Sequence, residues 1–447
     1  MIEDPDAIRT GPLRSRRAGI SRRSALGAIG VAAGLPTASA ALPEKPRPSE
    51  RAAAGNAVGG APTRPRPRDE DFEVLEVGPG KRFPSLTLAG CFMNSAERWS
   101  GGYASPERIA RMRFRIIISP GPPGYYTNDS GSRSRRWKEP VGWPPYEGNL
   151  LGPVIVEGEP GKIPPVLDTD GYGDGVLYYE KGLFNTGNFD ATFRNLVFRG
   201  FRRRDGYGNH AAIRLGESFL PTPVQGSITL EACEISRCDN GILGGASGQN
   251  VTIRRCYMHD NGNPSGRVHN IYVGGSDSLL VEDLLSTRCT IGHLLKSRAG
   301  KTTIRRTRLL SDYGSESACL DVPNGGVLDV DTLVCEKSED SDAQWIIHYA
   351  GENQDAAGMP FHQASSIRLR NLTLLAPPRL RRHAASRVVG FANLSGAGEA
   401  ISGRGSRFIA ADAQDVLVHG LAGGDVGLPF RLLPRRPGLD LKSPVAG

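Results

Sequence analysis

Short β-type runs recur along this chain at a spacing that a stacked architecture satisfies and a single-layer fold does not. "FRIIISPG", "GPVIVEG", "ATFRNLVFRGF", "SITLEACEIS", "NVTIRRCYMH", "SLLVEDLLS", "TTIRRTRLL", "GVLDVDTLV" and "SIRLRNLTLL" are punctuated by Gly, Asn and Asp. Aligned on Ile228, Ile253, Val281, Ile304, Val330 and Ile367, successive units fall roughly 23–40 residues apart, within the range of repeat architectures. A second series interleaves with the first: "AAIRLGE", "NGILGGAS", "HNIYVGG", "HLLKSRA", "ACLDVPNGG" and "WIIHYAG". Two strand series in alternation predict at least two sheets per turn of a coil. A unit this short cannot bury its own apolar face, so neighbours must stack. Helical periodicity is nearly absent; "SPERIARMR", residues 105–113, is the one predicted turn of helix.

With "EVGPGKRFPSLTLAG" and "IIISPG" as first strands and "NFDATFRNLVFRGF" as a standard coil, the chain resembles the right-handed parallel β-helix superfamily typified by pectate lyases. The likeness spans residues 72–420. It implies an all-β fold, a single-stranded right-handed parallel β-helix (solenoid, pectin lyase-like), over residues 71–425. It does not imply one activity, because this scaffold carries lyases, hydrolases, epimerases and non-catalytic tail proteins.

The flanks read differently. "GISRRSALGAIGVAAGLPTASA" joins a basic region to a short apolar stretch ending in Ala38-Ser39-Ala40. Ser21-Arg22-Arg23-Ser24 resembles a twin-arginine export signal, so residues 1–40 are expected to pass the export machinery and leave a periplasmic or secreted protein. Residues 41–70 are rich in Pro, Ala and Arg and read as a linker; residues 426–447 read as a Pro-rich tail. No run of 18 apolar residues is present, so no membrane span is expected. The net charge of +8 falls to +5 without residues 1–40, which hold six Arg and three acids. That excess favours anionic partners by steering; no nucleic-acid module is recognised. Seven Cys form no CxxC and no zinc-type spacing, and Cys233 and Cys256 hold equivalent places in successive repeats.

The second series carries the chemistry. Its inward aliphatics are Ile213, Ile242, Ile271, Leu295, Leu320 and Ile347, and the residue after each points out. That gives Arg214, Leu243, Tyr272, Lys296, Asp321 and His348, separated by 29, 29, 24, 25 and 27 residues. Parallel rungs lie about 4.8 Å apart, so Tyr272 to His348 would form a ladder about 15 Å tall, enough for several sugar units. Arg298, two residues beyond Lys296, joins the same face. One row thus gathers most general acid–base side-chain types on adjacent rungs.

Eliminating a uronate glycoside needs a cation for the carboxylate, a base for the C5 proton and an acid for the leaving oxygen. Related β-helix lyases use Lys or Arg as base and often Ca²⁺ or Arg as neutraliser. By that resemblance Lys296 is the expected base, and Tyr272 or His348 the proton donor. Arg298 or Arg214 would hold the carboxylate with a planar fork, and Asp321 would orient Lys296 or bind a metal. His269 and His293, each two residues before an inward aliphatic, line the corner beside the row, and Asn270 joins them as a substrate-binding candidate. A Lys296–Asp321 salt bridge would keep the lysine protonated and count against it as base. Hydrolysis wants two carboxylates roughly 5–9.5 Å apart, and the row offers only Asp321. Epimerisation would use the same residue types as elimination, so the sequence leaves these two open.

"DTDGYGDG" resembles a Ca²⁺ loop, with Asp168, Asp170 and Asp174 as candidate ligands and a Gly-rich hairpin as the plainer account. Arg254, Arg305 and Arg368 form an outward stripe, either a grip for an acidic polymer or a solvated face. The expected protein is an exported lyase of an acidic, uronate-containing polysaccharide. Hydrolase, epimerase and non-catalytic carbohydrate-binding surface protein are the alternatives.

Overall fold

The computed structural model describes residues 72–93, 113–121, 149–150, 153–168, 182–186, 190–202, 208–216, 226–343, 345–350, 362, 365–375, 381, 387–391, 407–410, 418–419 and 431–434. The predicted export signal, the linker and residues 105–112 of the predicted helix lie outside them.

The described residues are nearly all β, in two long sheets of 17 and 10 strands whose pairings are parallel. The chain visits them in rotation. Gly226–Glu231 and Glu234–Ser236 join the large sheet and Asn240–Gly244 the small one; Gln249–Arg254, Tyr257–His259 and Ile271–Val273 repeat the circuit one rung on. Each circuit adds a rung to every position, which is the arrangement of a parallel β-helix. The large sheet continues to Arg431–Pro434, paired with Arg407–Ala410, past the boundary placed at residue 425.

A single left-handed residue makes the bend between the two runs on the large sheet. Ala232, Arg255 and Asp283 have φ of 50°, 49° and 51°. Each donates its backbone N–H to the next circuit, to Arg254 O at 3.0 Å, Glu282 O at 3.0 Å and Arg305 O at 3.2 Å. This conformation costs a non-glycine residue roughly 1–2 kcal/mol, and the inter-circuit hydrogen bond offsets it. In the ten-residue strands Lys301–Leu310 and Val327–Glu336 the same bend falls inside the strand, at Arg306 and Thr332.

The inward stack of the small sheet is the predicted one. Ile213 pairs with Ile242, Ile242 with Ile271, and Leu295 with Leu320 and through it Ile347, all fully buried. The first series needs a shift of two: Ile228 pairs with Val251, and Ile367 with Leu328. A two-residue slip leaves every side chain on its own face, so the inward residues remain inward.

The expected strand through "FPSLTLAG" is instead a helix, Leu86–Met93. Ser85 caps it: its Oγ accepts the Leu88 N–H at 3.3 Å and its carbonyl the Ala89 N–H at 3.3 Å. Leu86 and Ala89 enter the core beside the first circuits.

The six described cysteines are free and buried. Burial drives the Cys233 thiol well above its ordinary value and pushes Cys289 up to about 12, so both stay protonated. No helix among the described residues is long and apolar enough to cross a membrane.

Candidate functional site

Register sets the outward file of the small sheet. Arg214 pairs with Leu243, Leu243 with Tyr272, Tyr272 with Lys296, Lys296 with Asp321, and Asp321 with His348. Side chains alternate across a strand, so the residue after each inward aliphatic faces out, and stacking turns that position into a column.

Asp321 is the hub of this file. Its side chain is only 2 % exposed, and Lys296 Nζ lies 2.9 Å from its Oδ2. His293 Nε2 approaches the same oxygen at 3.2 Å, and His348 Nδ1 donates to Oδ1 at 2.8 Å. Burial alone raises a carboxyl pKa. Here His293, Lys296 and His348 together outweigh it and hold Asp321 well below the usual carboxylate range, so it is ionised.

His269 and His293 continue the network. His269 Nδ1 accepts the backbone N–H of His293 at 3.1 Å and lies 3.1 Å from His293 Nδ1. Burial pushes the His269 imidazole well below its ordinary value, with the charges at His293, Lys296 and Arg298 adding to the effect. Burial also lowers His293, against the upward pull of Asp321. His293 stands opposite Ala318, whose small side chain leaves its ring room to reach across to the next circuit.

A second group adjoins the first. Arg298 is buried; its Nε donates to Tyr272 Oη at 3.0 Å and its Nη1 to Asn324 Oδ1. Lys296 Nζ and Arg298 Cζ lie 6.0 and 5.9 Å from the Tyr272 ring centroid, within reach of a cation–π attraction. Two cationic side chains, one carboxylate and three imidazoles therefore occupy adjacent rungs.

The structure brings Tyr272, Lys296, Arg298, Asp321, His348, His293 and His269 into contact with one another, directly or through Asp321. Arg214 is in the file but two rungs from Tyr272, beyond Leu243. Asn270 points into the coil, away from the outward file. It is fully buried; its Nδ2 donates to Ser286 Oγ at 2.9 Å and Thr287 O at 2.8 Å, and its Oδ1 accepts from Asn261. Its position before Ile271 lies at the corner, where the backbone turns the side chain inward. The expected role of Lys296 as base also meets its objection, since its Nζ is ion-paired with Asp321 at 2.9 Å. Asp168 sits on the large sheet, 3.8 Å from Arg199, and Asp170 and Asp174 lie outside the described residues. Among the described residues no group of three His, Cys, Asp or Glu side chains is set to hold a metal ion.

Two participants escaped the sequence reading. Asn324 belongs to the turn "VPNGG", whose residue types signal only a turn, yet it fixes Arg298. Trp345, three residues before His348, lies with its ring 5.5 Å from that imidazole. Both belong to one strand, Trp345–Tyr349, where an i, i+3 spacing puts residues on opposite faces by simple alternation and so gave no sign of this contact. Comparison of the chain with protein-family models, with curated proteins and with solved structures finds no match.

Proposed function

We propose that this is an exported enzyme that cleaves a uronate-bearing polysaccharide by β-elimination, on a right-handed β-helix of the pectate lyase type. The hand follows the general rule for parallel crossovers, which are right-handed in nearly all cases. Export rests on the Arg22-Arg23 signal and its small-residue cleavage pattern.

The observation that carries the reading is the convergence of acid–base groups on one buried carboxylate. Lys296, His293 and His348 meet at Asp321, with the Arg298 guanidinium bonded to Tyr272 beside them. Cationic side chains on the outward file suit the carboxylate that a uronate supplies. Neutralising that group is what makes the C5 proton removable, and imidazoles for proton transfer stand on the same rungs. A hydrolase would need a second carboxylate in the file, and among its described members Asp321 is the only one.

The test is incubation of the mature protein with a panel of acidic polysaccharides, followed by ultraviolet absorbance. Unsaturated uronates absorb there, so a rising signal supports elimination. New reducing ends without absorbance would replace the reading with hydrolysis. No cleavage with retained polymer affinity would replace it with a binding protein.

A further inference from the structure

The ion pair of Lys296 leaves open which group takes the C5 proton, and the geometry points to His348. This rests on the elimination reading above. We infer that Asp321 acts as a buried positioning carboxylate, that His348 Nε2 is the base, and that the Lys296 ammonium is its fixed cationic partner and proton donor.

The tautomer follows from Asp321. An ionised carboxylate only accepts hydrogen bonds, so the 2.8 Å contact requires His348 Nδ1 to carry the proton. In the neutral ring, Nε2 then holds the lone pair. His348 is partly exposed, its side chain at 21 % against 2 % for Asp321. Asp321 is too deep to meet a polymer; His348 is not. An imidazole fixed at Nδ1 by a dry carboxylate, its Nε2 left with the lone pair and its side chain partly exposed, is the arrangement that suits a general base.

Lys296 and His348 share Asp321 through different oxygens, Lys296 on Oδ2 and His348 on Oδ1. Both therefore flank one sugar. Tyr272, the other expected donor, is three rungs from His348, about 14 Å along the stack. A C5 proton and the neighbouring C4–O4 bond lie far closer together than that. Tyr272, which accepts from Arg298 Nε at 3.0 Å, consequently serves an adjoining sugar.

The step balances within the site. The C5–H bond breaks and its proton goes to His348 Nε2. The electron pair forms the C4–C5 double bond, C4–O4 breaks, and the leaving oxygen takes a proton from Lys296 Nζ. His348 ends as imidazolium and Lys296 as amine; proton exchange with solvent resets both. Among the described residues, the groups facing His348 are Asp321, Trp345 and, across Asp321, His293 and Lys296.

The test combines spectroscopy and kinetics on the mature full chain. Nitrogen NMR of ¹⁵N-histidine-labelled protein without substrate should show a ring protonated at Nδ1 and bare at Nε2. That signal should vanish in His348→Gln and change tautomer in Asp321→Asn. On whichever polymer of the panel is cleaved, His348→Ala should lose on the order of 10²–10⁴-fold in kcat, with partial rescue by added imidazole. Lys296→Gln should lose activity while leaving the His348 tautomer intact. If His348 is protonated at Nε2, or if His348→Ala keeps more than a tenth of the activity, the assignment is overturned while elimination stands. If Lys296→Ala is the variant rescued, by added primary amines, the base is Lys296. If the tautomer is as stated but no polymer is eliminated, the lyase reading falls and the base role falls with it.

Discussion

The outer faces of the two sheets are both charged, and they use charge in opposite ways. On the large sheet, acids and bases pair in partly exposed contacts: Arg254 with Glu282 at 3.3 Å, Arg305 with Asp329 at 2.6 Å, Arg306 with Asp283 at 2.8 Å. On the small sheet, one lysine and two histidines converge on a single dry carboxylate, and Arg298 stands beside them with hydrogen bonds to Tyr272 and Asn324. The first face neutralises itself rung by rung. The second concentrates unlike groups around one buried carboxylate. A polar outward row is the default of any β-coil; convergence on a buried hub is not.

Removing the hub should break this comparison most severely. Asp321→Ala leaves Lys296 buried without its carboxylate and takes away the partner of two imidazoles. Losing one member of a buried ion pair costs about 3–5 kcal/mol. A drop of that size in urea or thermal unfolding is expected, together with loss of any polymer cleavage. A change under 1 kcal/mol would mean that the site is far wetter than its burial indicates.

The interior supplies the next largest effect. Asn270 joins Asn261, Ser286 and Thr287 inside the coil. Asn270→Ala should cost about 1–3 kcal/mol through unsatisfied buried groups. Because that network lies behind the file, polymer affinity at a temperature where the variant is folded should be unchanged. Lost affinity in the folded variant would return Asn270 to the ligand face.

Those two residues also show what the sequence could and could not tell. The stacking was readable because inward aliphatics repeat with side-chain period two. The column Tyr272–Lys296–Asp321–His348 followed from it by position alone. Depth was not readable: Asp321 and Asn270 are both small polar residues beside an inward aliphatic, and only the corner decides which turns inward. The bends were hidden as well. Ala232, Arg255 and Asp283 adopt left-handed backbone without a glycine to signal it, because the stacked neighbour's carbonyl holds the turn. The capped helix at Leu86–Met93 was masked by an apolar run that suits either element, although Ser85 was its sign.

Acid should separate the two faces next. His269 is held well below its ordinary value, so the unfolded chain takes up the proton first. Its contribution to stability is present above the unfolded imidazole pKa of about 6.5 and is lost as pH falls toward the folded value. Asp321 is depressed in turn, so its contribution is present above the unfolded carboxyl value of about 3.9 and is lost as pH falls from there through the folded value. Stability should therefore decline between pH ~6.5 and ~4 by way of the imidazoles. His269→Gln should flatten that decline. The groups facing His269 are His293, Tyr272, Lys296, Arg298 and Asp321. An unaltered slope in His269→Gln would place the titration elsewhere.

The smallest effect belongs to the large sheet and tests the comparison from its other side. Arg254 and Glu282 pair in register at 3.3 Å, with side chains 44 % and 26 % exposed. Water screens such a pair, and holding two long side chains in one geometry offsets much of the attraction, so exposed pairs contribute about 0–1 kcal/mol. Glu282→Gln keeps the side chain's size and its hydrogen-bonding while removing its charge. It should change unfolding by less than about 0.5 kcal/mol and leave polymer affinity unaltered. Glu282→Gln also frees Arg254 of its counter-charge. Should that variant bind acidic polymer more tightly, the Arg254 stripe would be a polymer grip held in check by its acids, and the division of labour between the two faces would dissolve.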